Sequence, residues 1–204
     1  KLAGFIYEPV RTFQLYPDTD TSLAAHYARA YAWHKEAFTD KATDEVDALL
    51  AKAPDDPYFL EVKGQILLES GKVREAVKPL RRAVALMPDE PLISTLLGHA
   101  LISLEEPAAD KEAMGILRRA VREDNDNPFA WYQLGIAYDR NGDEPRAALA
   151  TAEQASLNGD FMQAAISARR AAQGLPRGSP DWLRAQDISL IAEEQARKRK
   201  GRRG

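Results

Sequence analysis

One motif recurs at a nearly fixed interval in this chain, and that interval limits the fold more than any other feature. Pro54-Asp55-Asp56-Pro57 returns 34 residues later as Pro88-Asp89-Glu90-Pro91, and again, degraded, 37 residues further on as Asn125-Asp126-Asn127-Pro128. Small residues keep step at Ala30, Gly64, Gly98 and Gly135, and Trp33, Leu67, Leu101 and Tyr138 follow three places after each. A second small series runs Ala42, Ala76, Ala113 and Ala147, with Val46, Leu80, Leu117 and Thr151 four places on. A chain that repeats itself on this period stacks supersecondary units side by side and builds its core between neighbours. Four units follow, 23–56, 57–90, 91–127 and 128–161. The three extra residues of the third fall between Leu101 and Ala113, around Glu105-Glu106-Pro107, where a longer turn adds little entropy cost.

Each unit reads as two antiparallel helices. Asp56-Pro57 and Asn127-Pro128 place an acidic or amide N-cap before a proline at the first helical position. Trp131, Leu134, Gly135 and Tyr138 stand at offsets 0, 3, 4 and 7, one face of a helix. Gly71 and the pair Asn141-Gly142 supply the left-handed or turn conformations that end the first helix of a pair. Pro79 falls inside the second helix of unit two, where proline is expected to kink the helix at about 3 kcal/mol.

Trp131, Leu134, Gly135 and Tyr138 together with Ala76, Leu80, Ala83 and Pro88 resemble the tetratricopeptide repeat, over about two thirds of the chain. The resemblance implies an all-α, right-handed superhelical solenoid of antiparallel helix pairs. Thr151 and Gln154 depart from it, standing where apolar and small residues belong. Beyond the fourth unit, Ala164, Ala168, Ala171 and Pro176 keep the second-helix spacing, so residues 160–196 read as degenerate helices and the helix near 144–158 is open to sharing between two units. Ser179-Pro180 starts a capping helix with Trp182, Leu183, Ile188 and Ile191 as an imperfect apolar stripe, closing a repeat domain at 23–196.

Residues 1–22 lie outside the repeat. Phe5-Ile6-Tyr7, Phe13, Leu15 and Tyr16 are too apolar for a free tail. Either they fold back on the first helices or they pack on a domain outside this chain. The chain starts at Lys1 with no signal-peptide pattern, which reads as a piece of something longer. It has 204 residues, no cysteine and a net charge of −3. Arg197-Lys198-Arg199-Lys200-Gly201-Arg202-Arg203 supplies six positive charges, so the body stands at −9, an acidic balance that argues against a nucleic-acid surface. The basic tail, 197–204, reads as a solvated disordered end, with anionic lipid or nucleic acid as the alternative. No apolar run approaches the roughly 20 residues that span a bilayer.

Catalytic chemistry has no foothold. Without cysteine there is no thiol nucleophile, disulfide or Cys-based zinc site. His26, His34 and His99 lack metal-ligand spacing, no H-E-x-x-H run exists, and the isolated glycines form no phosphate loop. Neither a catalytic nor a metal site is expected, and no cofactor. What remains is the face of each first helix turned away from its second helix. In tetratricopeptide arrays this face lines a concave groove for protein or peptide ligands. Register gives Tyr27, Tyr31 and His34; Tyr58, Glu61, Gln65 and Leu68; Leu92, Thr95, His99 and Ile102; and Phe129, Tyr132, Ile136 and Asp139. This strip is aromatic and apolar, a composition that marks contact surfaces. It is either open to a partner or filled by the chain's own ends. It lacks the Lys, Arg and Asn clamp with which chaperone adaptors of the family hold a terminal carboxylate, so an extended apolar segment suits it better.

A narrower resemblance covers nearly the whole chain. Lys1-Leu2-Ala3-Gly4-Phe5, Tyr16-Pro17-Asp18-Thr19-Asp20, Tyr27-Ala28-Arg29-Ala30, the run Pro57–Ile66 and the run Leu175–Asp187 look like the region after the catalytic domain in bacterial zinc metallopeptidases of the BepA type. The resemblance implies a periplasmic location, a zinc-bearing catalytic domain outside this segment, and a role in recruiting outer-membrane assembly clients. On that view Phe5 and its neighbours touch the protease domain. A stand-alone scaffold or adaptor, cytoplasmic and with no protease involved, is the alternative.

Overall fold

The computed structural model describes the backbone of residues 8–201 and the side chains of residues 8–198. Phe5-Ile6-Tyr7 and residues 202–204 therefore lie outside the described residues, while residues 197–201, expected to be disordered, continue the last helix, with Arg197 and Lys198 reaching Glu193 and Glu194 one turn back. Among the described residues eleven helices follow one another: α1 (Pro9–Leu15), α2 (Leu23–Lys35), α3 (Thr39–Lys52), α4 (Pro57–Glu69), α5 (Val73–Leu86), α6 (Pro91–Ile102), α7 (Pro107–Glu123), α8 (Pro128–Arg140), α9 (Glu144–Leu157), α10 (Phe161–Gly174) and α11 (Pro180–Gly201). No strand occurs among the described residues, so the chain is all-α. Among the described residues no helix is long and apolar enough to cross a membrane.

The chain divides into two compact units, Lys1–Pro88 and Asp89–Gly204. In the first, α2 pairs with α3 and α4 with α5, and α1 lies on α2. In the second, α6 pairs with α7 and α8 with α9, while α10 rests on both α9 and α11.

The proline signals mark helix starts as their chemistry requires. The Asp56 carboxylate accepts from the backbone N–H of Tyr58 and Phe59, and the Asn127 amide oxygen from Phe129 and Ala130. These side chains satisfy donors that the first turn leaves unpaired, and proline at the next position has none to lose.

The pair turns share one device. Seven places after each small residue of the first helix stands a residue in the left-handed region: Ala37 (φ 60°), Gly71 (77°), Glu105 (56°) and Gly142 (76°). In three of the four turns its N–H and the next one reach back to carbonyls of the preceding helix, as in Ala37 N–H to His34 and Phe38 N–H to Trp33. Ala37 and Glu105 carry a Cβ where glycine is relaxed, at a cost of about 1 kcal/mol. Glu105→Gly is therefore expected to stabilise the chain by about 0.5–1 kcal/mol, read as a raised urea midpoint with unchanged slope.

Two expectations need correction. The extra residues of the third unit do not lengthen the turn. They extend α7, which has 17 residues where α5 has 14, because Pro107 opens the helix early. Pro79 does not interrupt α5 either, which stays helical from Val73 to Leu86. Ala76, Val77, Leu80, Ala83 and Val84 are buried on both sides of it, so tertiary packing outweighs the local penalty.

The cores differ in texture. In the N-terminal unit Val46, Val62 and Ile66 pack with Ala30, Tyr31 and Ala42. The C-terminal end is built of Ala148, Ala152, Ala155, Ala164, Ala165, Ala168, Ala171 and Ala185, with Leu149, Leu175, Ile188 and Ala192 at the margins. Alanine faces let helices approach closely, and Gly174 leaves no room for a Cβ beside Pro145. A buried Glu153 pairs with Arg184 at 2.5 and 2.8 Å and ties α11 to α9.

Candidate functional site

The first helices of successive pairs are joined in three different ways, and the differences decide which surfaces remain free. Between α2 and α4 large side chains fill the space. Tyr27 packs against Tyr31 and Phe59, and Tyr31, only 4% exposed, donates to the Gln65 side chain at 3.4 Å. Gln65 donates to Glu69 at 2.8 Å, and Glu69 meets His34 at 2.6 Å. Burial pushes both phenols up, Tyr31 far above its ordinary value, with Tyr27 and the carboxylates Glu61 and Glu69 adding to it. Tyr31 therefore stays a neutral donor within the chain. Leu68 is buried too. Of this unit's strip, Tyr58 stands out to solvent at 46% exposure.

Between α6 and α8 the helices pack directly. Thr95 is buried and its hydroxyl donates to the Pro91 carbonyl at 2.7 Å, and Ile102 is buried as well. His99 meets the Phe129 ring edge-on, centroids 5.2 Å apart. Leu92 and Phe129 remain exposed. Tyr31, Leu68, Thr95 and Ile102 thus have packing duties that register alone assigned to a free face.

Between α8 and α10 nothing fills the gap. A cleft of about 350 Å³ opens there with α9 as its floor. Three helical faces at i, i+4, i+7 spacing converge on it. From α8 come Tyr132, Ile136 and Asp139; from α9, Ala147, Thr151 and Gln154; from α10, Gln163, Ser167 and Arg170.

The cleft exists because the fourth pair breaks the pattern. At Gly64 and Gly98 an added Cβ would meet Leu80 at 2.3 Å and Leu117 at 2.5 Å, so leucine is plugged against glycine. The corresponding Thr151 is shorter and bonds its hydroxyl back to the Ala147 carbonyl at 3.0 Å. A Cβ at Gly135 would find only ordinary contacts, the nearest at 3.6 Å. The flanking cations are engaged. Arg140 donates to the Ile102 carbonyl and Asp110, and Arg170 to Glu144 at 3.4 Å.

Sequence reasoning singled out Thr151 and Gln154 as departures but did not see the space they open, nor the Gln163 face of α10 opposite. It also missed Arg29, a guanidinium 2% exposed inside an alanine-rich stretch. The signal was available, since a lone charge among Ala25, Ala28, Ala30 and Ala32 must be paired to be buried. Among the described residues no three metal-ligating side chains gather.

The tetratricopeptide-repeat family matches residues 37–91 and 61–128, from α3 to α7. Residues 37–128 are built of tetratricopeptide repeats. Across 142 residues it is 30% identical to the Beta-barrel assembly-enhancing protease of Yersinia pestis, covering 70% of this chain and 29% of that protein. The repeat chain thus spans less than a third of that relative's length. Among solved structures, MamA from Desulfovibrio magneticus superposes with a TM-score of 0.63 at 18% identity, covering 88% of this chain and 97% of that one. YrrB, described as a TPR protein with an unusual peptide-binding site, gives 0.61 at 17% identity over 79% and 80% of the two chains. At these identities the structural likenesses show the tetratricopeptide fold.

Proposed function

We propose that this tetratricopeptide region binds polypeptide and is the recruiting part of a zinc metallopeptidase in bacterial envelope quality control. The observation that carries the binding role is the exposure of Tyr58, Leu92, Phe129 and Tyr132 on first helices, large apolar side chains left 43 to 59% open to solvent. The protease context rests on the similarity to the Beta-barrel assembly-enhancing protease. In this reading the zinc and its ligands belong to a catalytic domain outside this chain, the location is the periplasm, and the clients are outer-membrane assembly substrates. Holding a client on the repeats raises its effective concentration beside the protease without any catalytic residue here.

Photocrosslinking from the full-length gene product in cells tests this. A photoreactive residue replaces Tyr58 or Phe129, with Lys78 on the second helix of its pair as control. Outer-membrane β-barrel precursors are expected at the first two positions and not at Lys78, and Phe129→Ala with Tyr132→Ala should cut capture several-fold. Capture only at Lys78, or a full-length gene without H-E-x-x-H, would remove the client-recruiting role and leave a scaffold.

A further inference from the structure

We propose that a second cleft, between the second helices α7 and α9, binds a phosphomonoester whose phosphate sits between Arg118 and Arg122. The site is independent of the polypeptide-binding reading, since none of the exposed first-helix residues that carry that reading lines it.

The cleft has a volume of about 280 Å³ and lies wholly within the C-terminal unit. Arg118 and Arg122 come from α7, Arg146 and Glu153 from α9, and Asp181 and Arg184 from α11, with Trp131, Leu134 and Tyr138 of α8 between them. Four arginines face two carboxylates, and both carboxylates are already answered. Glu153 pairs with Arg184 at 2.5 and 2.8 Å, and Asp181 accepts from Arg146 at 2.7 Å. Asp143 holds the same Arg146 from its other side at 2.9 Å.

Arg118 and Arg122 are left over. Both are exposed, and neither has a hydrogen bond or ion pair among the described residues. They stand four apart on one face of α7, a spacing at which like charges repel. An anion placed between them turns that repulsion into two charge-assisted contacts.

The donors select the kind of anion. Each guanidinium presents a planar fork of N–H groups, and one carboxylate is used up by one fork. A phosphomonoester has three terminal oxygens and can serve both. A further donor is in place, because Tyr138 is 7% exposed, lines the cleft, and makes no hydrogen bond among the described residues. Burial pushes its phenol up and keeps it protonated, while Arg118 and Arg146 pull the other way, which puts both guanidiniums around it. The half-buried Trp131 ring is fixed by its Nε1 donating to the Asn125 carbonyl at 2.9 Å, and offers an apolar wall to the ester group. Sites for drug-sized ligands run roughly 300–1,000 Å³, so this one suits a small organic phosphate.

Isothermal titration of the 204-residue chain with glycerol phosphate tests the site. Binding is expected, and Arg118→Gln or Arg122→Gln should each weaken it at least tenfold. Both variants should melt as the wild type does, because neither side chain has an intramolecular partner to lose. Lys78→Gln removes the same charge from the other unit and should bind like the wild type. Succinate, a dianion of two carboxylates, should bind at least tenfold more weakly than glycerol phosphate.

The phosphate can arrive free or on a lipid headgroup, and flotation with phosphatidylcholine vesicles carrying phosphatidic acid separates the two. Glycerol phosphate binding without vesicle binding assigns a soluble ligand. Vesicle binding that glycerol phosphate competes away assigns a headgroup, and either supports the site. No binding of glycerol phosphate by the wild type, wild-type affinity in both arginine variants, or an equal loss in Lys78→Gln overturns the proposal. So does succinate binding as tightly as glycerol phosphate.

Discussion

Gly98→Ala lowers stability and Gly135→Ala raises it, although both glycines occupy the same register of the repeat. At Gly98 the new methyl would stand 2.5 Å from Leu117, whose side chain is fully buried and cannot retreat. Overpacking of that kind costs about 1–3 kcal/mol, while alanine recovers about 1 kcal/mol of helix propensity, so the net expected loss is about 1–2 kcal/mol. At Gly135 the nearest atom is the Ala150 Cβ at 3.6 Å, an ordinary contact, and the propensity gain of up to about 1 kcal/mol stands alone. Urea denaturation of the two variants side by side reads both signs. A second test isolates the cause. In a Leu117→Ala background the clash is gone, and Gly98→Ala should become stabilising. If it remains destabilising there, the leucine plug is not what requires glycine.

This pair of expectations shows what the sequence carried and what it did not. The period, the helix pairs and their caps were legible because each rests on local chemistry repeated in register: Asp56-Pro57 and Asn127-Pro128 need no distant partner to be read. Glycine against leucine was also half-visible, as two series in step. The left-handed turns at Ala37 and Glu105 were hidden by residue type and recoverable only by register from Gly71 and Gly142. The strip of first-helix residues was legible as a face, not as a surface. Whether Tyr31 fills a gap or lines an opening depends on the spacing of α2 and α4, which no periodicity encodes. The cleft was half-legible: Thr151 and Gln154 departed visibly from the repeat, but the space they open also depends on where α10 settles on α9 and α11, and alanine-rich faces such as Ala164, Ala168 and Ala171 signal close approach without naming a neighbour.

Arg29→Met produces the largest loss of stability expected in this chain, about 3–5 kcal/mol, the range for removing one partner of a buried ion pair. The guanidinium is held from both sides. Its Nε and Nη2 donate to the two oxygens of Glu45 at 2.6 and 2.9 Å, and its Nη1 to the carbonyls of Pro17 and Asp20 at 3.0 and 2.9 Å. His26 meets the same carboxylate at 2.6 Å. Methionine matches the volume and leaves Glu45 half-answered and two carbonyls without their donor. The loss has a location as well as a size. Residues 16–20 reach the repeats through this arginine, and α1 depends further on Phe13 stacking 4.3 Å from Trp33. Limited proteolysis should therefore cut first between Tyr16 and Ser22 in the variant and not in the wild type. Arg29→Lys separates geometry from charge. A lysine ammonium has three donors on one atom and cannot fork between a carboxylate and a chain of carbonyls, so most of the loss should persist. A lysine variant with wild-type stability and protease resistance would show that a single positive charge suffices, and that the fork seen in the structure contributes little.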